Sequence, residues 1–223
     1  MIPEVAFRRT YAVKCGDNAG TGVVVDFAGS RFLISANHVF SDYENAKNLE
    51  VLTDSGWQKV SHTLLTRGAS LESHEDYIVF EIGNQLQKAG PLDINQLGQI
   101  YMGQDALVLG YPAHWRSPLS KANDGYLPAF AKRAMFSGVV SLGGFERVFL
   151  IDVMLNKGMS GGPVFARDLQ DPRKVSLAGI AISYFSPDEL IKGDQSKSLA
   201  FNANTGLAFS IPIYDVLSRI VQS

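Results

Sequence analysis

The segment Asn156-Lys157-Gly158-Met159-Ser160-Gly161-Gly162-Pro163-Val164-Phe165 places one serine among three glycines. Glycine tolerates positive φ and has no Cβ, so a turn built from it lets another group approach Ser160 Oγ closely. The same turn can aim the backbone N–H groups of Gly158 and Ser160 at one point, where they would stabilise an oxyanion. The alternative interpretation is a glycine-rich turn between two strands.

A serine hydroxyl is a weak nucleophile at neutral pH and needs a base, which is most often histidine. The chain has four histidines: His38, His62, His74 and His114. All of them precede Ser160, whereas the α/β-hydrolases, whose G-x-S-x-G motif also fits 158–162, place their histidine after the serine. His38 directly follows the apolar segment 32–36, so we expect it at the end of a buried strand and the other three on the surface.

A catalytic histidine needs a carboxylate that orients it. Asp76 immediately precedes the apolar segment 77–82, which predicts a rigid position beside a buried strand. Three other aspartates remain as alternatives: Asp93, Asp105 and Asp152. Asp93 lies in a looser segment and Asp152 lies close to Ser160 in sequence, so the order His38, Asp76, Ser160 is favoured.

Short apolar segments separated by glycine, proline and polar residues recur along the chain, a pattern typical of all-β proteins. The expected strands are 5–14, 23–27, 31–36, 49–53, 59–65, 77–82, 106–112, 134–142, 148–153, 163–165, 175–183 and 206–211. The looser region 83–104 divides them, which favours two small barrels over one sheet. Two long polar segments, 112–132 and 185–204, are predicted to be loops.

The last residues change from strand to helix periodicity. Five apolar residues recur with helical spacing: Ile213, Val216, Leu217, Ile220 and Val221. Pro212 suits the start of this helix, and Ser210 is close enough to cap it. The predicted organisation is an N-terminal barrel over 1–95, a C-terminal barrel over 96–211 and a helix over 212–223.

Composition excludes several classes of protein. The net charge is −2 and no basic block is present, which argues against nucleic-acid binding. No apolar run is long enough for a membrane span, and the charged residues within 1–14 do not fit a signal peptide. Cys15 is the only cysteine, so no intramolecular disulfide can form. These features predict a cytoplasmic protein that needs no metal or cofactor.

Three motifs in this order resemble those of chymotrypsin-like serine proteases: Ser35-Ala36-Asn37-His38-Val39, Asp76-Tyr77-Ile78-Val79 and Gly158-Met159-Ser160-Gly161-Gly162-Pro163. The resemblance is greatest to the bacterial HtrA-like branch with trypsin-like peptidase domains. Gly20-Thr21-Gly22-Val23-Val24 resembles its opening strand, and 206–212 resembles its penultimate strand and the entry to its last helix. The resemblance implies an all-β fold of two six-stranded antiparallel β-barrels with the active site in the cleft between them.

The resemblance also implies a role for each motif residue. Ser160 would be the nucleophile, His38 the general base and then the general acid, and Asp76 the residue that orients His38. The N–H groups of Gly158 and Ser160 would form the oxyanion hole. Met159 departs from the secreted relatives that are activated from zymogens, which carry an aspartate there, so activation by zymogen cleavage is not expected.

Substrate contacts are implied by the same resemblance. Met154 and Leu155 would line the pocket for the residue before the scissile bond. Ala181, Ile182, Ser183 and Tyr184 would form the edge strand that pairs with the substrate backbone. Because this lining is apolar and carries no carboxylate, we expect a small or medium aliphatic residue to be preferred over Lys or Arg.

The sequence therefore predicts a serine endopeptidase that acts on protein or peptide substrates. The long segments 112–132 and 185–204 are expected to flank the cleft and to gate it when substrate or a regulatory protein partner binds. Two alternatives remain. One is a catalytically latent scaffold of the same fold that only binds peptides, and the other is an acyl hydrolase restricted to esters.

Overall fold

The computed structural model describes residues 2–68, 75–86, 89–96, 99–112, 127–142, 145–185, 188–192, 198–202 and 204–222. The strands of the first half are β1 Thr10–Cys15, β2 Asn18–Phe27, β3 Ser30–Ser35, β4 Glu50–Thr53, β5 Gly56–Lys59, β6 Thr63–Arg67 and β7 Ile78–Glu81. Those of the second half are β8 Asp105–Gly110, β9 Phe130–Leu142, β10 Phe145–Asp152, β11 Pro163–Arg167, β12 Val175–Tyr184, β13 Asp188–Lys192, β14 Ser198–Asn202 and β15 Leu207–Pro212. The helices are α1 Glu4–Arg8, α2 Tyr43–Ala46 and α3 Ile213–Gln222, with a 3₁₀ turn at Asn37–Phe40.

The second half forms a closed barrel of six antiparallel strands in the order β10-β15-β12-β11-β8-β9. Its interior is filled by small and aromatic side chains that include Ala106, Phe136 and Ala208, all fully buried. Met159, from the serine segment, is also fully buried in this cluster. The predicted six-stranded C-terminal barrel is thereby confirmed, and the serine segment is anchored in its core.

The first half is an open sheet of seven strands in the order β5-β4-β1-β2-β3-β7-β6, so the prediction of a second six-stranded barrel is wrong. Closure would require β5 to pair with β6. Between these two strands, Ser61 donates its N–H to Gln85 Oε1 at 2.8 Å and accepts from Gln85 Nε2 at 2.7 Å. A side-chain amide thus satisfies backbone groups that strand pairing would otherwise use.

The N-terminal segment 5–14 was expected to be one strand, but it begins as helix α1 and becomes β1 only at Thr10. Local contacts favour the helical turn. Arg8 Nε donates to Glu4 Oε1 at 2.5 Å, four residues earlier, and Thr10 Oγ1 donates to Ala6 O at 2.8 Å. The predicted strand therefore starts several residues too early.

Two predictions near the C-terminus need correction, although the helix over 213–222 is confirmed. Ser210 does not cap that helix, because it lies within β15 and its buried Oγ has no hydrogen-bond partner in the described part of the chain. The segment 185–204 is not simply a loop, since β13 and β14 pair antiparallel within it, with Leu190 opposite Ala200. Residues 113–126 of the other predicted loop lie outside the described residues, and its last residues begin β9.

Arg9 connects the first sheet to the segment that leads into the barrel. Its side chain is only 3% exposed, and Nη2 donates to Asp26 Oδ2 at 2.6 Å and to Gly90 O at 2.7 Å. Arg31 donates to the other oxygen of Asp26 at 2.7 Å. The hydrogen bond from Arg31 is the main reason why the pKa of Asp26 lies below its usual value, and Arg9 adds to this lowering.

No described helix is long and apolar enough to cross a membrane.

Replacing Arg9 with Met is expected to lower the free energy of unfolding by about 2 kcal/mol, because the carbonyls near Gly90 lose a charged donor while Asp26 keeps Arg31. Urea denaturation measures the change. Arg133→Met is the matched control, since that arginine also pairs with an aspartate, Asp105, but is 78% exposed. It should cost less than about 1 kcal/mol. Equal losses in the two variants would contradict the role assigned to Arg9.

Candidate active site

His38 lies in the 3₁₀ turn that directly follows β3. The next two residues, Val39 and Phe40, are buried, and the Phe40 ring packs on Phe80 with centroids 5.0 Å apart. Burial of these neighbours fixes the turn, while the His38 side chain remains 38% exposed. His38 is therefore found at the end of a buried strand, as predicted, with its side chain partly exposed.

Asp76 holds His38 with both carboxylate oxygens. Oδ1 accepts the His38 backbone N–H at 2.8 Å, and Oδ2 lies 2.5 Å from His38 Nδ1. The Asp76 side chain is only 8% exposed. Because a carboxylate oxygen accepts hydrogen bonds, the ring hydrogen is assigned to Nδ1, which leaves Nε2 with a lone pair. This is the protonation that a general base toward Ser160 requires.

The segment before Ser160 forms a type II turn. Met159 N donates to Asn156 O at 3.0 Å, and Gly158 has φ +95° whereas Lys157 does not have positive φ. A type II turn needs positive φ at its third residue, which explains the glycine at position 158. The buried Met159 side chain anchors the end of this turn in the barrel core.

The two N–H groups predicted to form the oxyanion hole have no acceptor among the residues that the structure describes. Among the described residues, neither Gly158 N nor Ser160 N donates a hydrogen bond, although Gly158 is buried. The neighbouring amides are used differently, since Gly161 N donates to Ala181 O at 2.7 Å and Gly162 N to Met159 O at 2.9 Å. Buried donors are normally paired, so the unpaired N–H of buried Gly158, two residues before the unpaired N–H of partly exposed Ser160, is typical of a site that binds a ligand.

The serine turn packs against β2, and Gly20 of that strand also lies beside the turn that carries His38. Thr21 N donates to Ser160 O at 2.8 Å. A Cβ built on Gly20 would lie 2.9 Å from Ser160 O and 2.6 Å from Val39 Cγ2. The Gly20 backbone therefore lies between Ser160 and the turn that carries His38, with no room for a side chain. In the described part of the chain no hydrogen bond joins Ser160 Oγ to His38. Catalytic hydrogen bonds are often long in ligand-free enzymes and tighten on binding.

The first residue of the predicted edge strand, Ala181, forms its backbone hydrogen bonds with the serine turn and not with a substrate. Ala181 is fully buried, and its N–H donates to Gly162 O at 2.8 Å while its carbonyl accepts from Gly161 N. Both backbone groups of Ala181 are thus used within the protein. Ile182 is also buried, whereas Ser183 is partly exposed and Tyr184 is 40% exposed. The residues after Ala181 therefore remain as candidates for backbone pairing with a peptide.

The predicted specificity segment is held from two sides by residues that carried no signal in the sequence analysis. Lys132 Nζ donates to Met154 O and to Asn156 Oδ1, and burial lowers the pKa of the Lys132 amine. Asn204 Nδ2 donates to Leu155 O at 2.7 Å. Leu155 is 4% exposed, whereas Met154 is 57% exposed. A positive charge therefore lies beside the predicted pocket wall.

The alternative candidates have other partners or lie outside the described residues. His62 does not face solvent as expected, because Nε2 bonds Tyr43 OH at 3.0 Å and Nδ1 bonds Val60 O at 2.7 Å. Asp105 pairs with an arginine on the outside of the barrel. His74 and His114 are among the residues that are not described. The described residues also contain no cluster of His, Cys, Asp and Glu that could hold a metal ion.

Gly161→Ala is expected to destabilise the serine turn strongly. Gly161 has φ +81°, and a Cβ there would lie 2.1 Å from Thr21 O and 2.3 Å from Ser35 Oγ. Backbone strain of about 1 kcal/mol and overpacking of about 1–3 kcal/mol should both lower the free energy of unfolding. Gly29→Ala is the control, since Gly29 has φ +85° with nothing within 4 Å and should show only the strain. Equal unfolding midpoints in urea would show that Gly161 is not tightly enclosed.

The closed barrel and the comparisons with known proteins together identify the class of protein, which is a serine protease. The family model described as the trypsin-like peptidase domain matches residues 20–170, more than half of the chain. The chain therefore belongs to the trypsin-like peptidase domain family. A search of curated proteins finds no match to this sequence.

Solved structures with a similar fold include an HtrA-type protease and two further proteins, Rv3671c and Deg5. The HtrA-type protease AlgW with tripeptide is 20% identical with a TM-score of 0.62, over 97% of this chain and 62% of that one. A mutant of Rv3671c from M. tuberculosis H37Rv in its inactive form is 16% identical with a TM-score of 0.57, over 97% and 87%. Deg5 is 16% identical with a TM-score of 0.59, over 95% and 87%. The likeness to the HtrA-type fold agrees with the resemblance of the sequence motifs.

Proposed function

We propose that this protein is a serine endopeptidase in which Ser160 is the nucleophile, His38 the general base and Asp76 the residue that orients it. The observation that carries the proposal is the buried Asp76 carboxylate, which engages His38 Nδ1 at 2.5 Å and leaves Nε2 available beside the serine turn. The unpaired N–H groups of Gly158 and Ser160 supply the second requirement, two donors for a developing oxyanion.

The proposed reaction proceeds through an acyl-enzyme. His38 Nε2 takes the hydroxyl proton as Ser160 Oγ attacks the carbonyl carbon, and the carbonyl electron pair moves onto oxygen, which Gly158 and Ser160 N–H stabilise. The C–N bond then breaks as His38 gives its proton to the leaving amine. Water, deprotonated by His38, attacks the ester carbonyl, and the proton returns to Ser160 Oγ as the acid product leaves. No metal or cofactor takes part in these steps.

The specificity that we propose is for a small or medium aliphatic residue before the scissile bond. Met154 and Leu155 offer apolar lining, and Ala181 beneath them is small and buried. The Lys132 amine, bonded to Met154 O, places positive charge at this wall and so disfavours a basic substrate residue. A library of peptide amides tests this, and a profile dominated by Lys or Arg would contradict it.

We also propose that the segment 185–204 gates the cleft. It leaves the end of β12, the strand whose last residues are candidates for substrate pairing, and it contains the hairpin β13–β14. A lid in this place would order the pairing strand when a substrate or a regulatory protein binds. Deletion of 186–203 should change kcat and KM together, and unchanged kinetics would count against the gate.

The second candidate is a catalytically latent scaffold that binds peptides without cleaving them. The missing hydrogen bond between Ser160 Oγ and His38 is the observation in its favour. Matched peptide amides and esters distinguish the candidates. An endopeptidase hydrolyses both, an acyl hydrolase restricted to esters hydrolyses only the esters, and a scaffold binds the amide peptide and hydrolyses neither.

A further inference from the structure

Thr21 is a fully buried residue of β2 that has no hydrogen bond to Ser160 Oγ or to His38 among the described residues, yet its hydroxyl and its backbone N–H both bond the serine turn. Its backbone N–H donates to Ser160 O at 2.8 Å. Its Oγ1 donates to Gly158 O at 2.8 Å and accepts the Tyr111 N–H at 3.1 Å. Its carbonyl accepts from Ser35 Oγ at 2.7 Å. A threonine hydroxyl that both donates and accepts is fully satisfied.

These contacts hold the two residues that supply the oxyanion donors. Thr21 binds the carbonyl of Gly158 with its side chain and the carbonyl of Ser160 with its backbone. The Gly158 carbonyl shares a peptide plane with the Met159 N–H, and the Ser160 carbonyl shares one with the Gly161 N–H. Holding both planes restrains the plane between them, which carries the Ser160 N–H, and it fixes the side of Gly158 that follows its own N–H. Glycine would otherwise rotate freely at position 158, where φ is +95°. The restraint comes from the other half of the chain, 137 residues away in sequence.

Strand formation alone does not explain a threonine at this position. Valine has the same branched shape and the same preference for strands, and it would avoid burying a hydroxyl. A buried hydroxyl is unfavourable unless it is hydrogen-bonded, and here both of its bonds go to backbone groups of the second half, Gly158 O and Tyr111 N. The hydroxyl therefore has a function that the shape of the side chain cannot supply.

We propose that Thr21 is a positioning residue. Its hydroxyl, held in the first sheet, fixes the conformation of the turn that forms the oxyanion hole. This proposal rests on the proposed function, because it assigns the turn to oxyanion stabilisation. The two N–H donors are useful only if they point at the position the oxyanion will occupy. Thr21 thus links the sheet that carries His38 to the turn that carries Ser160.

The test compares Thr21→Val, which removes the hydroxyl and keeps the shape, with Thr21→Ser, which keeps the hydroxyl. Thr10→Val is the matched control, since Thr10 is equally buried and its Oγ1 donates to a backbone carbonyl, Ala6 O, away from the site. In Thr21→Val we expect kcat on a peptide amide to fall about tenfold to a hundredfold with KM unchanged, since small displacements of catalytic groups have effects of this size. Thr21→Ser should have most of the wild-type kcat, and Thr10→Val should have the full wild-type kcat.

A second readout is independent of activity. The ¹⁵N–¹H resonances of Gly158 and Ser160 should move in Thr21→Val and stay in place in Thr10→Val. If neither the wild type nor any variant hydrolyses the peptide amide, the proposed function fails. The resonances of Gly158 and Ser160 then decide alone whether Thr21 fixes the conformation of the turn. If Thr21→Val does not fold, Thr21→Ala is compared with Thr21→Ser, because the two differ only in the hydroxyl. Unchanged kcat and unmoved resonances after loss of the hydroxyl would overturn the proposal.

Discussion

Ser160→Ala is expected to lower kcat on a peptide amide about 10⁶-fold while leaving the thermal unfolding midpoint close to that of the wild type. The hydroxyl is partly exposed and forms no hydrogen bond with His38, so its removal disturbs little of the fold. It does remove the atom that forms the acyl-enzyme. Residual catalysis of about 10³–10⁴ over water should persist from the oxyanion donors and substrate binding. The measurement is single-turnover hydrolysis at high enzyme concentration.

Ser137→Ala is the control for that variant, since Ser137 is an exposed serine on β9 whose Oγ contacts only the neighbouring Met135 O at 3.4 Å. Its kcat should equal that of the wild type. A Ser160→Ala protein that retained a tenth or more of the wild-type kcat would show that hydrolysis does not use this serine.

Asp76→Asn is expected to lower kcat about 10⁴-fold at neutral pH. Asp76 accepts two hydrogen bonds from His38, one with each oxygen, whereas an amide has only one oxygen that can accept. If the amide nitrogen faces Nδ1, the ring hydrogen moves to Nε2, and His38 can no longer take the proton of Ser160. The measurement is the pH profile of kcat for wild type and variant.

Asp105→Asn is the matched control, because Asp105 also pairs with a basic side chain but is 44% exposed on the outside of the barrel. It should leave the pH profile unchanged. An Asp76→Asn variant within tenfold of the wild-type kcat would mean that His38 does not act as the base, or that another group orients it.

The candidate site was selected from the sequence by local signals, and its catalytic roles stay predictions. Ser160, His38 and Asp76 lie next to buried strands, so short motifs with local signals were enough to select them. The hydroxyl of Thr21 could not be selected in this way, because its partner Gly158 is 137 residues distant and valine would fit the same strand pattern. The Lys132 contacts with the specificity segment are also non-local, since they span 22 and 24 residues.

The errors in the fold have similar physical causes. The first sheet is open, and no local pattern in the sequence predicts that the Gln85 side chain satisfies the backbone of Ser61 between its two edge strands. The Glu4–Arg8 pair favours a helical turn in a segment whose composition suggested a strand. The hairpin β13–β14 was missed because polar residues interrupt the alternation by which strands are recognised in sequence.

The most direct test of the central claim is labelling with a fluorophosphonate probe, which needs no knowledge of the substrate. Reaction requires an activated serine, a base and formed oxyanion donors. We expect the wild-type protein to be labelled at Ser160, and Ser160→Ala and His38→Ala to remain unlabelled at the same concentration and time. Wild-type protein that stays unlabelled, or that is labelled as strongly after either substitution, would contradict the assignment of Ser160 and His38 as nucleophile and base.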